Sequence, residues 1–453
     1  MSATGTVSTH PSLGVSTLSC RECGRAFDVG PLYYCDECFG PLQADYDYDA
    51  IAQTISAPGI AAGPPSIWRY APLLPAPPPP ERVDIGAGFT PLRPAPRLAA
   101  ELGLRRLWLK NDTFNPTHSF KDRVVTVAVS AARRFGFDTI ACASTGNLAN
   151  SVAAHAAATG MRSIVFIPAG LERGKVVSTA VFGGEIVEID GTYDDVNRVC
   201  AELAESKPWA FVNVNLRTFY AEGSKTLGFE IAEQLGWRAP DAIVAPVASG
   251  AMLTKVARGL RELERVELIP EVRSRIFGAQ AAGCAPVARA FAEGALEVTP
   301  VKPDSVAKSL AIGDPADGRY LLAEARASGG AVTAVPEESV AEGIRLLARC
   351  EGLFTEAAGG VTIAGLERLV AEGAISPEDE TVVLITGVGL KTLETLGPRT
   401  ARPPVAPNVA AVDEVLEEEG FGGTKQAGHL TVPPTESGEP AGQPDRRLKK
   451  EGL

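Results

Sequence analysis

The main part of the chain, from about residue 88 to residue 400, alternates short β-branched stretches with longer amphipathic ones. Strands are predicted for the apolar stretches LWLK, TIACAS, SIVFIP, EIVEID, FVNV, AIVAPV, RIFGAQ and TVVLIT. Helices are predicted for NLANSVAAHAAATG, KVVSTAVFGG, YDDVNRVCAELAES and GSKTLGFEIAEQLGW. This alternation predicts an α/β fold in which helices cover both faces of parallel sheets. The number of strands favours two doubly wound parallel-sheet subdomains, with ligands at the carboxyl ends of the strands.

The flanking segments differ in composition, and they divide the chain into predicted domains. Residues 1–17 are small and polar and are predicted to be disordered. Residues 46–87, which include PLLPAPPPP, are predicted to form a Pro-rich, semi-rigid connector without a core. Residues 401–453 are again dominated by proline, glycine and charge and are predicted to be a disordered tail. The main domain is predicted over residues 88–400, with a smaller subdomain at about 125–235 nested within it.

Composition and charge exclude several classes of protein. The hydrophobic fraction of 45% and the charged fraction of 22% are typical of soluble globular proteins. No apolar run is long enough to cross a membrane, and the N-terminus lacks a basic segment followed by an apolar one. A cytoplasmic protein without a membrane partner is therefore expected. The formal net charge of −12 argues against a nucleic-acid partner.

Four of the cysteines form two Cys-x2-Cys pairs within residues 18–45. The pairs are Cys20 with Cys23 and Cys35 with Cys38, and eleven residues separate them. This spacing is typical of a structural zinc site, in which four thiolates surround the ion as a tetrahedron. The segment is therefore predicted to be zinc-ribbon-like, and the alternative is a thiol cluster without a metal.

The stretch NDTFNPTHSFKDR places Lys121 among hydroxyl, amide and turn-forming residues. An Asn-Pro turn precedes this lysine, and the apolar-periodic run from Val124 to Ala132 predicts a helix directly after it. Lys121 thus lies near a helix N-terminus, where the helix dipole disfavours a cation. Either its side chain points into water, or its amine is kept uncharged so that it can act as a nucleophile.

Three further stretches place small, hydroxyl or amide residues at predicted strand ends. They are STGN in ACASTGNLANS, ASGAM in IVAPVASGAMLTK, and TG in VVLITGVGLK. The second stretch lets backbone N–H groups approach an anion at the start of a helix. Each stretch alone is equally well explained as a tight structural turn. Together with a lysine able to form an imine, they are the parts needed to hold pyridoxal phosphate.

These motifs resemble those of the threonine synthase family, which belongs to the tryptophan-synthase-β type, or fold type II, of pyridoxal-phosphate enzymes. NDTFNPTHSFKDR resembles the cofactor-lysine motif of the family, whose usual form ends SFKDRG. STGN, EGSKTLGFEIAEQLGW, PVASGAML and LITGVGLK follow in the family's order. The resemblance covers about residues 18–400, and some members also carry a zinc-ribbon-like segment. It implies that residues 88–400 are the catalytic domain.

The resemblance also implies which residues bind the cofactor. Lys121 would form a Schiff base with its aldehyde, and Asn147 would hydrogen-bond its ring hydroxyl. Thr386 would face the pyridine nitrogen, and this neutral partner would favour elimination and replacement over transamination. The cofactor phosphate would be held by the loop of Ala248, Ser249, Gly250, Ala251 and Met252.

The sequence departs from the family's pattern at three places. His118 stands where many members have glycine, and Val124 replaces the glycine after SFKDR. The phosphate loop reads ASGAM where many members have an asparagine-bearing, glycine-rich loop. Because backbone N–H groups bind the phosphate, these departures bear on the amino-acid substrate rather than on the cofactor. The role of His118 stays open.

The implied substrate is a small amino acid. Members of the family convert O-phospho-L-homoserine and water to L-threonine and phosphate, with the cofactor lysine as general base. Candidates for binding the substrate phosphate are Ser119, Arg123, Thr145 and Lys225. The alternatives are a threonine or serine dehydratase, a cysteate synthase that uses O-phosphoserine, and a non-catalytic binding protein. A homodimer is expected by analogy with this architecture.

Overall fold

The computed structural model describes residues 13–144, 146–170, 173–191, 193–397 and 404–418. The chain divides into two compact units, residues 1–397 and residues 398–453. The second unit contains, in its described part, a helix over Val409–Glu418. Among the helices of these ranges, none is both long and apolar enough to cross a membrane.

The strands of the first unit build three sheets within the described residues. In chain order they are β1 (Thr17–Cys20), β2 (Ala26–Phe27), β3 (Leu42–Asp45), β4 (Leu92–Pro94), β5 (Arg106–Asn111), β6 (Thr139–Ala143), β7 (Arg162–Pro168), β8 (Glu185–Ile189), β9 (Ala210–Phe211), β10 (Ala242–Pro246), β11 (Arg275–Ala281), β12 (Ala331–Val335) and β13 (Glu380–Ile385). The sheets have the strand orders β2-β1-β3, β12-β11-β10-β13-β5-β4 and β8-β7-β6-β9. The strands of the four-stranded sheet thus lie between β5 and β10 in the sequence.

Helices connect most of these strands. In chain order they are α1 (Tyr48–Ala52), α2 (Ala57–Ala61), α3 (Pro96–Leu102), α4 (Lys121–Arg134), α5 (Asn147–Thr159), α6 (Arg173–Ala180), α7 (Tyr193–Ser206), α8 (Arg217–Glu222), α9 (Lys225–Gln234), α10 (Ala251–Arg265), α11 (Pro286–Ala292), α12 (Gly318–Ala327), α13 (Glu337–Glu351), α14 (Ala357–Ala371) and α15 (Val409–Glu418). Parallel neighbours such as β6 and β7 are joined by crossover helices, here α5, as parallel pairing requires.

The central strands of the two larger sheets are buried along their whole length. Every residue of β6, β10 and β13 is buried, and each of these strands pairs in parallel with its neighbours. Helices on both faces exclude water from such strands, which explains their nearly continuous apolar sequences. The predicted α/β class with two parallel sheets is confirmed.

All eight predicted strands are present, and so are the five predicted helices, including the one over Val124–Ala132, but β4 and β12 of the six-stranded sheet were not predicted. Strand β4 is short, contains proline and pairs antiparallel with β5 at the sheet edge. Its edge position leaves it without the buried apolar pattern on which the other predictions depend.

The prediction that residues 46–87 form a connector without a core is wrong. Trp68 and Tyr70 are buried in this segment, and both belong to the main hydrophobic core. The indole N–H of Trp68 donates to the carbonyl oxygen of Val83 at 2.7 Å, and the Tyr70 ring lies 5.3 Å from that of Phe229. The segment therefore packs on the main core and on α9.

The two predicted disordered termini, residues 1–17 and 401–453, lie largely outside the described residues. In their described parts, Leu13 and Val15 are buried and Val409–Glu418 is helical. These parts are therefore ordered.

Candidate active site

Three neighbouring parallel strands, β5, β13 and β10, bring three of the predicted loops to one edge of the six-stranded sheet. These loops are the one that ends at Lys121, the one that begins with Thr386, and ASGAM. Strand β13 lies between β10 and β5, so the loops that follow these strands share the carboxyl edge. The N–H of Phe120 donates to the carbonyl oxygen of Thr386 at 2.9 Å, and the N–H of Val388 donates to that of His118 at 3.1 Å. The loop before Lys121 is thus hydrogen-bonded to the loop after β13.

Lys121 is the first residue of α4, and its side chain is half-buried. Its amine donates a hydrogen bond to the hydroxyl of Tyr220 at 3.0 Å and lies 4.8 Å from the centre of the Phe120 ring. The amine therefore has a polar partner and an aromatic wall, and it does not point freely into water. Tyr220 lies on α8, two residues before the start of the motif EGSKT.

A polar cluster surrounds Asn147, the first residue of α5. Its amide N–H group donates to the two carboxylate oxygens of Glu356 at 3.1 and 2.8 Å. Its amide oxygen accepts a hydrogen bond from the Lys391 amine at 2.9 Å. The Glu356 carboxylate also hydrogen-bonds the side chain of Thr386. Asn147 and Thr386, which follow strands of different sheets, therefore meet through Glu356.

Burial changes the proton affinity of two groups in this cluster. It raises the pKa of the Glu356 carboxyl, although the Asn147 hydrogen bond and the charges of Lys391 and Lys121 oppose the rise. It lowers the pKa of the Lys391 amine, which the Glu356 charge opposes. Tyr220, Glu356 and Lys391 were not predicted as site residues, although Lys391 closes the motif LITGVGLK.

The predicted phosphate loop turns from β10 into α10. Gly250 has a φ of +93°, and a Cβ atom on it would lie 2.9 Å from the carbonyl oxygen of Asp317, so this turn requires glycine. The carbonyl oxygen of Ser249 accepts a hydrogen bond from the N–H of Asp317 at 3.0 Å. Since the first N–H groups of a helix lack intrahelical partners, the start of α10 can bind an anion.

The buried hydroxyl of Ser119 is relevant to whether this site fits pyridoxal phosphate. Its side chain is fully buried, and within the described residues its hydroxyl has no hydrogen-bond partner. An unpartnered buried hydroxyl is costly, and a ligand that supplies the partner would remove this cost. A buried hydroxyl that lacks a partner among the described residues, two residues before Lys121, together with the helix start at Gly250, fits a group that carries both an aldehyde and a phosphate.

His118 has a left-handed backbone conformation with a φ of +62°. Glycine adopts this conformation without steric cost, which explains why a glycine suits the position. The His118 ring nitrogen Nδ1 lies 3.2 Å from the carbonyl oxygen of Thr113, and the side chain is exposed. The histidine therefore forms part of the loop surface.

Of the remaining candidates, Thr145 lies outside the described residues and Arg123 lies in a buried ion-pair network. The Arg123 guanidinium is fully buried and donates to the carboxylates of Asp112, at 2.7 and 2.8 Å, and of Glu230, at 2.8 Å. Its donors are thus bound to carboxylates of the protein.

Lys225 is also fully buried. Its amine lies 2.7 Å from a carboxylate oxygen of Glu222 and 2.8 Å from one of Glu262. The Glu222 carboxylate is also paired with Lys255. Lys225 therefore belongs to an internal charge network, and its carboxylate partners neutralise it.

The four predicted metal ligands are brought together by the three-stranded N-terminal sheet. The sulfur atoms of Cys20, Cys23, Cys35 and Cys38 all lie within 4.8 Å of one another. The sulfurs of Cys20 and Cys38 are 3.4 Å apart, and those of Cys23 and Cys35 are 3.7 Å apart. Zn–S bonds of about 2.3 Å in a tetrahedron place the sulfurs roughly 3.8 Å apart, so the four thiols fit zinc.

We expect the purified chain to contain about one zinc ion, and the Cys35→Ala variant to contain almost none, because three thiolates bind a structural zinc poorly. Elemental analysis by mass spectrometry measures the metal content. Cys350→Ala is the matched control, since Cys350 lies on α13 and outside the cluster. A wild-type chain without metal, purified without chelators, would contradict the zinc prediction.

The chain is similar to known proteins over most of its length. A family model described as pyridoxal-phosphate dependent enzyme matches residues 83–387. The threonine synthase of Methanocaldococcus jannaschii is 36% identical over 374 residues, which cover 82% of this chain and 92% of that protein. The threonine synthase of Methanosarcina acetivorans is 36% identical over 403 residues, which cover 88% of this chain and 98% of that protein.

Solved structures share the fold at lower sequence identity. Maize serine racemase has a TM-score of 0.55 and 21% identity, and the match covers 66% of this chain and 88% of that one. A pyridoxal 5'-phosphate-dependent aspartate racemase has a TM-score of 0.59 and 19% identity, with 76% and 98% covered. These structures share the fold, while the family model and the two threonine synthases show that the chain belongs to the threonine synthase family of pyridoxal-phosphate dependent enzymes and uses pyridoxal phosphate as its cofactor.

Proposed function

We propose that this protein is a threonine synthase, a lyase that converts O-phospho-L-homoserine and water to L-threonine and phosphate in amino-acid biosynthesis. The observation that carries the proposal is its similarity to threonine synthases over nearly their whole length, 92% and 98%. The loops of Lys121 and Thr386 at the carboxyl edge of the six-stranded sheet, and Asn147 after β6 of the four-stranded sheet, support it.

Lys121, Asn147, Thr386 and the loop from Ala248 to Met252 would hold the cofactor. When bound, pyridoxal phosphate delocalises the electron pair that remains after a proton leaves the substrate Cα. The backbone N–H groups at the start of α10 would bind its phosphate. The neutral hydroxyl of Thr386 would face its ring nitrogen.

Lys121 would transfer the protons of the reaction. Its amine is half-buried at the start of α4, and the Tyr220 hydroxyl 3.0 Å away holds it in place. An amine placed this way can take a proton from Cα and return it to a neighbouring carbon. The hydroxyl of Tyr220 orients the amine while it is not engaged with a ligand.

Glu356 would orient the groups that bind the cofactor and keep water out. It holds the Asn147 amide through two hydrogen bonds and also bonds Thr386. Since burial raises its pKa, this carboxyl can hold a proton at a higher pH than an exposed glutamate can.

The substrate phosphate needs a site separate from that of the cofactor. Of the candidates, Ser119 has a buried hydroxyl that is free within the described residues, and Thr145 lies outside them. Arg123 and Lys225 are paired with carboxylates, so we propose structural roles for both. Lys391, the last residue of LITGVGLK, is a cation of the site itself.

The proposal predicts the products from three substrates tested in parallel. We expect threonine and inorganic phosphate from O-phospho-L-homoserine, and little turnover of O-phospho-L-serine or L-threonine. Amino-acid analysis, a phosphate assay and a keto-acid assay measure the products. Release of ammonia and a keto acid from threonine would instead make the chain a dehydratase, and sulfite-dependent use of O-phosphoserine would make it a cysteate synthase.

A further inference from the structure

We call residues 18–45, which carry the four cysteines, the metal-binding segment. Its residues Arg21 and Glu22, between Cys20 and Cys23, contact the start of α12 in the catalytic domain. The guanidinium of Arg21 lies 3.0 Å from a carboxylate oxygen of Asp317 and is stacked 3.5 Å from the centre of the Tyr320 ring. The carboxylate of Glu22 is paired with Arg319 and accepts a hydrogen bond from Tyr320. The turn that carries two metal ligands is thus fixed to the start of α12 by charges, hydrogen bonds and a ring.

The start of α12 directly supports the phosphate loop. The side chain of Asp317 is only 8% exposed, and its backbone N–H donates to the carbonyl oxygen of Ser249 at 3.0 Å. Its carbonyl oxygen lies so close to Gly250 that a Cβ atom there would approach it to 2.9 Å. Since the two backbones are in direct contact, a displacement of Asp317 displaces the turn at Gly250.

A second contact links the metal-binding segment to α8, the helix beside the cofactor lysine. The hydroxyl of Thr218 donates to the carbonyl oxygen of Leu32 at 2.9 Å, and Arg217 is ion-paired with Asp317. Both residues lie on α8, which also carries Tyr220, the hydrogen-bond partner of Lys121. The metal-binding segment therefore contacts α8 and the start of α12, and these two elements flank the cofactor site.

From these contacts we infer that the metal-binding segment positions the phosphate loop, with Arg21 holding Asp317 and Asp317 holding Gly250. Arg21 and Asp317 are positioning residues, because they act on the cofactor through the loop. A metal bound by the four cysteines fixes the turn that carries Arg21, so metal binding strengthens cofactor binding. The inference concerns the cofactor and is independent of the amino-acid substrate proposed above.

The experiment compares cofactor affinity in the full, metal-loaded chain. In Arg21→Met the Kd for pyridoxal phosphate rises about tenfold, because a partly buried charge pair and a ring contact are lost. Absorbance titration of the cofactor-free protein gives the Kd, and the ³¹P signal of the bound cofactor phosphate shifts. Arg21→Lys keeps the charge and recovers part of the affinity.

Arg25→Met is the matched control. Arg25 lies in the same segment, but its ion pairs with Asp36 and Glu37 stay inside it, so this variant keeps the wild-type Kd. Metal removal by a chelator raises the Kd of the wild type by a similar factor and changes that of Arg21→Met little. The comparison of the wild type with and without its metal also tests the inference if Arg21→Met fails to fold.

Two results would overturn the inference. One is an equal Kd of the wild type with and without its metal. The other is an equal loss of affinity in Arg21→Met and Arg25→Met at unchanged metal content, which would indicate a general weakening of the segment. Neither result depends on which substrate the enzyme turns over.

Discussion

We expect Lys121→Ala to lower the rate of threonine formation by at least about 10³-fold, because under the proposed function the variant would lose both the covalent partner of the cofactor and the amine that transfers protons. We expect borohydride reduction of the wild type to leave one phosphopyridoxyl group on the peptide that contains Lys121, and none on the variant. Steady-state kinetics and peptide mass spectrometry measure the two effects.

Two control variants separate chemistry from positioning. Tyr220→Phe removes only the hydroxyl that accepts the Lys121 hydrogen bond, so its rate falls by roughly tenfold or less while the labelled peptide stays. Lys302→Ala removes an exposed lysine and leaves both readouts unchanged. An unaltered cofactor spectrum and turnover in Lys121→Ala would refute the role of this lysine.

The positions of the predicted cofactor residues relative to the strands could be anticipated from the sequence, whereas their roles follow from the family resemblance and stay predictions. Thr386 directly follows β13, Asn147 comes four residues after β6, and Lys121 ends the loop that begins after β5; small and polar residues interrupt the apolar pattern in each case. Glu356 instead precedes α14 in the stretch LFTEAAGG, which follows a helix. It reaches the site because its N–H donates to the carbonyl oxygen of Gly387, a contact between loops that no local pattern indicates.

The packing of residues 46–87 does not follow from their sequence pattern, and the reason is physical. Proline prevents regular helices and strands, so the segment around PLLPAPPPP lacks a periodic pattern. Core formation, however, depends on buried apolar area and not on regular structure. Trp68, Tyr70 and Leu73 supply this area between the prolines.

The sequence alone does not distinguish a cation that binds a ligand from one that is paired with a carboxylate inside the protein. Arg123 and Lys225 both lie in family motifs, and each was a candidate for the substrate phosphate. The carboxylates that neutralise Arg123 lie 11 and 107 residues away from it in the sequence. Only the fold brings such partners together, and burying a cation without them would be prohibitive.

Glu230→Gln is expected to lower the free energy of unfolding by about 3–5 kcal/mol, because breaking one side of a buried ion network leaves its cations uncompensated. The Glu230 carboxylate is fully buried, lies 2.6 Å from the Lys110 amine and accepts hydrogen bonds from Arg123. Arg123 in turn binds Asp112, so the network fixes the loop that ends at Lys121. Denaturant unfolding measures the loss.

Glu378→Gln serves as the control, because Glu378 forms an ion pair with Arg105 at 2.9 Å in which both side chains are more than half exposed. Solvent screens such pairs, so this substitution leaves the unfolding midpoint unchanged within error. Similar midpoints for the two variants would contradict a dominant role for the buried network.

The pH dependence of the Glu230→Gln effect tests its electrostatic origin. Burial alone would raise the pKa of Glu230, but Arg123 and Lys110 outweigh burial and lower it from 4.5 to about 2. A carboxyl whose pKa is lowered by folding stabilises the protein above its unfolded value and loses this contribution as the pH falls through its folded value. The stability difference between wild type and Glu230→Gln therefore stays constant from neutral pH to about 4.5 and shrinks towards pH 2, where the protonated glutamate resembles glutamine. A difference that persists unchanged to pH 2 would mean that packing, and not charge, causes the loss.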